Sequence, residues 1–166
     1  DSMNVIAGAG TFTYVADGIS EPNSAGNNIK SGFIYRKSKV RPLGSNVAAS
    51  SQPYYCNTMR IQAFEELSTG SCFTLSMNHF KAKDSTSDEG NGKRERNAND
   101  LVSALKNKAA DPDILILGDL NCTMGESPLE ILVKAGYEEQ LIKYDPDAYS
   151  HCYYGTQLLV FYRMDV

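Results

Sequence analysis

The chain has 166 residues, of which 42% are apolar and 22% charged, with a formal net charge of −4. That length suits one domain with a real core and is short for two, and the composition is that of an ordinary globular protein. No run approaches the roughly 20 apolar residues of a bilayer span. The acidic balance, with a pI of about 5.2, argues mildly against a nucleic-acid surface without excluding one, because a whole-chain average hides a local basic face or a bound cation.

In chain order, the opening DSMNVIAGAG carries no basic cluster or long apolar core, so no secretion leader is evident there. Residues 1–31 are rich in Gly, Asn and Ser, with a short strand-like stretch at Thr11–Val15 (TFTYV). A β-favouring run, Phe33-Ile34-Tyr35, precedes a charged KSK turn. Residues 41–58 read as a loop, punctuated by Pro42, Gly44 and Pro53. Two strands follow, Arg60–Leu67 and Cys72–Asn78, and the intervening STG predicts an antiparallel hairpin. In the second, Phe73, Leu75 and Met77 alternate with Cys72, Thr74, Ser76 and Asn78, the period of a half-buried strand.

Residues 84–92 (DSTSDEGNG) read as an exposed loop. Ala98, Leu101, Val102 and Leu105 then fall at i, i+3, i+4 and i+7, which predicts an amphipathic helix over 94–108, stopped by Asp111-Pro112. Ile114-Leu115-Ile116-Leu117 is apolar on both faces and predicts a central, fully covered strand. Ser127-Pro128-Leu129-Glu130 reads as a capping box with Pro at the first helical position, and Gly136 closes that helix. The order of elements predicts a mixed α/β arrangement without internal repeats. The four cysteines, Cys56, Cys72, Cys122 and Cys152, include no CxxC pair, which excludes a zinc ribbon. They are compatible with two disulfides or with reduced, buried thiols.

Two places could carry chemistry. Gly118-Asp119-Leu120-Asn121 follows directly on the ILIL strand and delivers an acid and an amide, two apart, to one rim of a sheet. A carboxylate there can orient and deprotonate water or help hold Mg²⁺, and the amide can fix the nucleophile or a phosphoryl oxygen. Loop capping is the simpler role for both. Asn78-His79 also sits at a strand end, beside Lys81 and Lys83, where an imidazole suits a phosphate oxygen. An exposed loop histidine and solvated lysines are the plainer alternative. Arg60 at a strand start could offer a guanidinium fork, and Tyr35 is a half-buried strand aromatic. A GxSxG elbow, a P-loop lysine and an HExxH pair are all absent.

The series FIYRKSKV, R-IQAF, LSMNHFKAK and LILGDLN followed by MGESPLEILVKAG resembles the endonuclease/exonuclease/phosphatase superfamily, which includes deoxyribonuclease I and exonuclease III. NHFKAK, GESPLEILVKAG and IAGAGTFTYVADG look most like its secreted bacterial nucleases. The resemblance runs from about residue 4 to 155 and implies one domain, residues 1–166, partial at both ends. The implied fold is α+β, a two-sheet β-sandwich flanked by helices. It implies metal-dependent hydrolysis of phosphodiester bonds, with nucleic acid or another phosphate ester as partner, Mg²⁺ (or Mn²⁺) as cofactor, and a secreted or periplasmic location.

Residue by residue, the resemblance makes Asp119 the water-activating acid and a metal ligand, Asn121 its partner amide, and His79 the group that stabilises phosphoryl charge. It makes Arg60 a phosphate contact and Tyr35 a site-lining aromatic. The family's upstream metal Glu and its final Asp-His pair have no match: YSHCYYG fits the approach, TQLLVFYRMDV follows, and Asp165 is a faint candidate acid. A phosphomonoesterase of the same superfamily, or an interaction module that has lost its site, are the alternatives.

Overall fold

A computed structural model describes residues 2–16, 31–49, 59–83, 89–144 and 161–163. Strands β1 (Phe12–Tyr14) and β2 (Ile34–Arg36) pair antiparallel, where TFTYV and FIY predict strands. A short helix not anticipated by the sequence, α1 (Ser2–Ala7), precedes them. It is tied down by Asn4, whose Nδ2 donates to Phe12 O at 3.0 Å and whose Oδ1 accepts from Phe12 N at 2.8 Å.

The main sheet contains β3 (Val40–Ala48), β4 (Arg60–Glu66), β5 (Cys72–His79), β6 (Ile114–Asp119), β7 (Glu138–Glu139) and β8 (Phe161–Arg163). Their spatial order is β3-β4-β5-β6-β8-β7, with β5 and β6 parallel and every other neighbouring pair antiparallel. Helix α2 (Glu89–Lys108) makes the crossover between β5 and β6, and α3 (Ser127–Lys134) and α4 (Gln140–Tyr144) follow β6. This mixed α+β content is the expected fold class.

Four local expectations need correcting, the last of them the cover over β6. The supposed loop at 41–58 is strand as far as Ala48, and its remainder from residue 50 lies outside the described residues. Pro42 and Gly44 do not break β3 because it is an edge strand, where proline is tolerated. A register shift between Leu43 and Val47 takes up the turn at Gly44, whose φ is +65°. The supposed loop at 84–92 is helical from Glu89 onward.

Ser127 is not the cap of α3. The N-cap is Glu126, which makes no side-chain cap bond, while the Ser127 hydroxyl donates to Glu95 on α2. The other end of α3 behaves as predicted. Gly136 (φ +93°) donates to Val133 O and Tyr137 N donates to Leu132 O, a Schellman ending.

One face of the sheet meets the helices. Ile61, Ile114 and Ile116 pack there with Ala98, Leu101 and Leu105 of α2 and Leu129 and Leu132 of α3. Each fully buried leucine or isoleucine contributes about 1.5–3 kcal/mol. Thr74, Ser76 and Asn78 point to the same buried face and keep their polar atoms bonded, Thr74 Oγ1 to Asp111 O and Ser76 Oγ to Asn78 Oδ1.

The opposite face is covered over β4 by an aromatic group, in which Phe33, Tyr35 and Phe73 each meet the Phe64 ring at 5.8 Å. Beyond it, Leu75, Met77, Leu115 and Leu117 are only half-buried, so β6 is central but fully buried on one face alone.

At the end of the parallel pair the two backbones converge. Gly118 has φ +121°, and a Cβ there would lie 1.9 Å from Asn78 O. Only glycine permits that approach. The Asn78 side chain in turn donates from Nδ2 to Leu117 O at 3.0 Å, joining the two strands beside the glycine.

The β4–β5 turn is closed by Glu66, which accepts from Ser68 Oγ, Thr69 Oγ1 and the backbone N–H groups of both. Those bonds, Ser68's first, lower its pKa from 4.5 to about 2. A depressed carboxylate stabilises the turn fully above its unfolded value near 4.5, and the contribution is lost as pH falls toward about 2. A ¹³C titration of the Glu66 carboxyl should show a midpoint near 2, moved up toward 4.5 by Ser68→Ala. Gly118→Ala should destabilise the protein by roughly 2–5 kcal/mol in urea unfolding, from backbone strain plus overpacking.

Candidate functional site

The β5–β6 register sets His79 opposite Asp119, one step beyond the Asn78–Gly118 pair. In-register residues of neighbouring strands project to the same face, so an imidazole and a carboxylate are delivered side by side at the carboxyl rim of the sheet. His79 is half-buried and Asp119 exposed.

Beyond the strands the two chains remain bonded. Phe80 N donates to Asp119 O at 2.9 Å. Asn121 Nδ2 donates to Phe80 O at 3.0 Å, and Asn121 N donates to Asp119 Oδ1 at 2.8 Å. Asn121 takes φ +49°, a left-handed conformation that asparagine tolerates better than most residues. It is buried, and its amide holds the loop after His79 against the loop after Asp119. The loop-capping role expected of this motif is thus present, and the Asx turn sets the direction of the Asp119 carboxylate.

Arg60 pairs with Met77, so it begins β4 at the same rim. It is 1% exposed, and its Nη1 donates to Asn46 Oδ1 at 2.8 Å. Asn46 Nδ2 donates in turn to Ala16 O at 2.6 Å. Asn46 is a polar rim residue with no signal in the sequence, since it follows Pro42 and Gly44 in a stretch with loop composition. No local pattern marks it; the pairing of β3 with β4 sets it on the face that carries Arg60. Tyr35 lies elsewhere, against Phe64, which is four residues and about 13 Å along β4 from Arg60.

Lys83 is exposed, but its Nζ is bonded to Glu126 Oε1 at 2.5 Å. Burial works against the Glu126 charge, but the bonds from Lys83 and Thr123 outweigh it and hold its carboxyl below the usual range. Burial pushes the Cys122 thiol up to about 12, so it is a protonated core group. Cys72 and Cys122 are free thiols, while Cys56 and Cys152 lie outside the described residues, as do YSHCYYG and Asp165.

Among the described residues no three His, Cys, Asp or Glu side chains gather as a metal cage. Mg²⁺ is commonly held by only one or two carboxylates, completing its shell with water and substrate phosphate. The exposed Asp119 carboxylate, with Oδ1 fixed by Asn121 N, suits a shared ion of that kind rather than a closed four-ligand site. None of the described helices is long and apolar enough to cross a membrane.

No protein-family model and no curated protein sequence matches the chain. Solved structures do. The human Nocturnin catalytic domain aligns over 98% of this chain and 64% of its own, with TM-score 0.68 and 18% identity. An endonuclease/exonuclease/phosphatase family protein from Bacteroides thetaiotaomicron aligns over 92% and 60%, with TM-score 0.64 and 15% identity. A mannosyl-6-phosphatase from the same organism aligns over 97% and 65%, with TM-score 0.63 and 13% identity. The chain thus spans a little under two thirds of the length of these structures. The path of its strands and helices is the fold of these endonuclease/exonuclease/phosphatase structures.

Proposed function

We propose that the full-length protein is a hydrolase of phosphate esters that cleaves phosphodiester bonds, most specifically as a nuclease on DNA or RNA. The observation that carries the reading is the pairing of His79 with Asp119 across β5 and β6, locked by Asn121. Two further supports are the fold shared with the endonuclease/exonuclease/phosphatase structures and the resemblance of NHFKAK and GDLN to secreted bacterial nucleases. One structure with this fold, zebrafish TDP2, was solved with a single-strand DNA product. The same branch resemblance is the ground for a secreted or periplasmic location.

In this reading Asp119 accepts the proton of an attacking water and holds it in line with the phosphorus, as a strand-end carboxylate with one fixed oxygen can. His79 donates a hydrogen bond to a non-bridging phosphoryl oxygen as charge builds there. Asn121 keeps both groups at a constant separation. Arg60, buried beside Asn46, adds positive potential beneath the phosphate, and Tyr35 is a more distant lining residue. A divalent ion on Asp119, Mg²⁺ or Mn²⁺, would offset negative charge on the phosphate. Residues 1–166 then form part of one domain, and the resemblance assigns its metal Glu and final Asp-His pair to segments this chain does not match.

A phosphomonoesterase is the second reading, favoured by the mannosyl-6-phosphatase with the same fold. A plasmid-nicking assay beside a phosphomonoester assay separates the two. With Mg²⁺ or Mn²⁺ the full-length protein should nick DNA or cut RNA, and both Asp119→Ala and chelation should lower the rate by about 10²–10⁴-fold. Undiminished cleavage by Asp119→Ala in chelator would exclude the proposed chemistry.

A further inference from the structure

Beyond the ends of β5 and β6, the two departing loops meet again at Glu126. Lys83 stands four residues past His79, and Thr123 stands four past Asp119, its in-register partner. Both donate to Glu126 Oε1, Lys83 Nζ at 2.5 Å and Thr123 Oγ1 at 2.5 Å. The loops are therefore joined at three successive levels: Phe80 N to Asp119 O, Asn121 Nδ2 to Phe80 O, and Lys83 with Thr123 on Glu126.

Glu126 also reaches the helix layer. Arg94 of α2 lies 3.9 Å from its second oxygen, Oε2. That oxygen and the Nε and Nη1 atoms of Arg94 are buried and make no hydrogen bond among the described residues. A buried guanidinium and a buried carboxylate oxygen so placed stabilise one another as an ion pair. Glu126 is the N-cap of α3, where a side-chain oxygen can accept from the helix N–H groups. It makes no such bond and faces the loops instead.

We infer that Glu126 is a positioning residue: through Lys83 and Thr123 it fixes the spacing of the loops leaving His79 and Asp119, and so the geometry in which those groups meet a phosphate. The catalytic part of the inference rests on the phosphoesterase reading; the mechanical part does not. Lys83 in this arrangement is a strut and not a phosphate clamp, since its charge is already matched by Glu126.

The test uses the full-length protein with Glu126→Ala, Glu126→Gln and Lys83→Ala. Hydrogen exchange is followed at the Phe80 and Asn121 amides, which bond to Asp119, with amides in the middle of β4 and β5 as reference. Glu126→Ala and Lys83→Ala should each speed exchange at Phe80 and Asn121 by about tenfold or more, leaving the reference amides unchanged. Glu126→Gln, which keeps an acceptor oxygen, should restore most of the protection. With bis(p-nitrophenyl) phosphate and Mg²⁺, kcat of Glu126→Ala should fall about 10–100-fold while KM stays within about twofold.

Wild-type exchange at Phe80 and Asn121 in the alanine variants would overturn the inference. So would acceleration shared equally by the reference amides, which would make Glu126 a general support of the fold. An inactive wild-type protein would refute the phosphoesterase reading, while the exchange data would still decide the role of Glu126.

Discussion

Two parallel strands end level with one another, and the candidate site depends on how near their backbones come at that point. The contact between Gly118 and the Asn78 carbonyl leaves no space for even a methyl group. A bulkier residue would push β6 away from β5 and pull Asp119 out of line with His79. The convergence also turns Leu117 O toward the Asn78 amide, so a side chain stitches the strands where the backbone bends. A small absence, the missing Cβ of one residue, thereby fixes the separation of two chemical groups that are 40 positions apart in the chain.

The two faces of the sheet divide the work. The helix-covered face carries the densest packing, with Leu101 and Leu132 fully buried, and gives the rim a rigid base. The other face bears Arg60, Met77, His79, Leu117 and Asp119 by alternation along three strands. The candidate site residues therefore share a face that the described helices do not cover. The packed helices stand behind the sheet and the candidate site faces away from them, an arrangement that would hold the two groups of the proposed function at a fixed separation.

Much of this was legible in the residues. The ILIL run predicted β6 because four apolar residues on both faces need cover, and GDLN had to follow at its end. The spacing of Ala98, Leu101 and Leu105 predicted α2 because it repeats at the helical period. What was not legible depends on register or on partners distant in sequence. Pro42 and Gly44 signal a break by local rules, yet an edge position and a bulge accommodate both. Asn46 meets Arg60 only through the pairing of β3 with β4. Ser127 looks like a cap in sequence, but Glu95, 32 positions earlier, competes for its hydroxyl. Glu126 resembles any acidic residue at a helix start until Lys83 is brought beside it.

Pro42 has a consequence outside the site. It lies on β3, at the margin of the six-stranded sheet among the described residues, the position at which a sheet can take up a further strand. Proline has no N–H to offer such a strand, and the irregularity between Leu43 and Val47 breaks the even spacing that pairing requires. The features that disguise β3 as a loop thus make this margin, among the described strands, a poor template for a further strand.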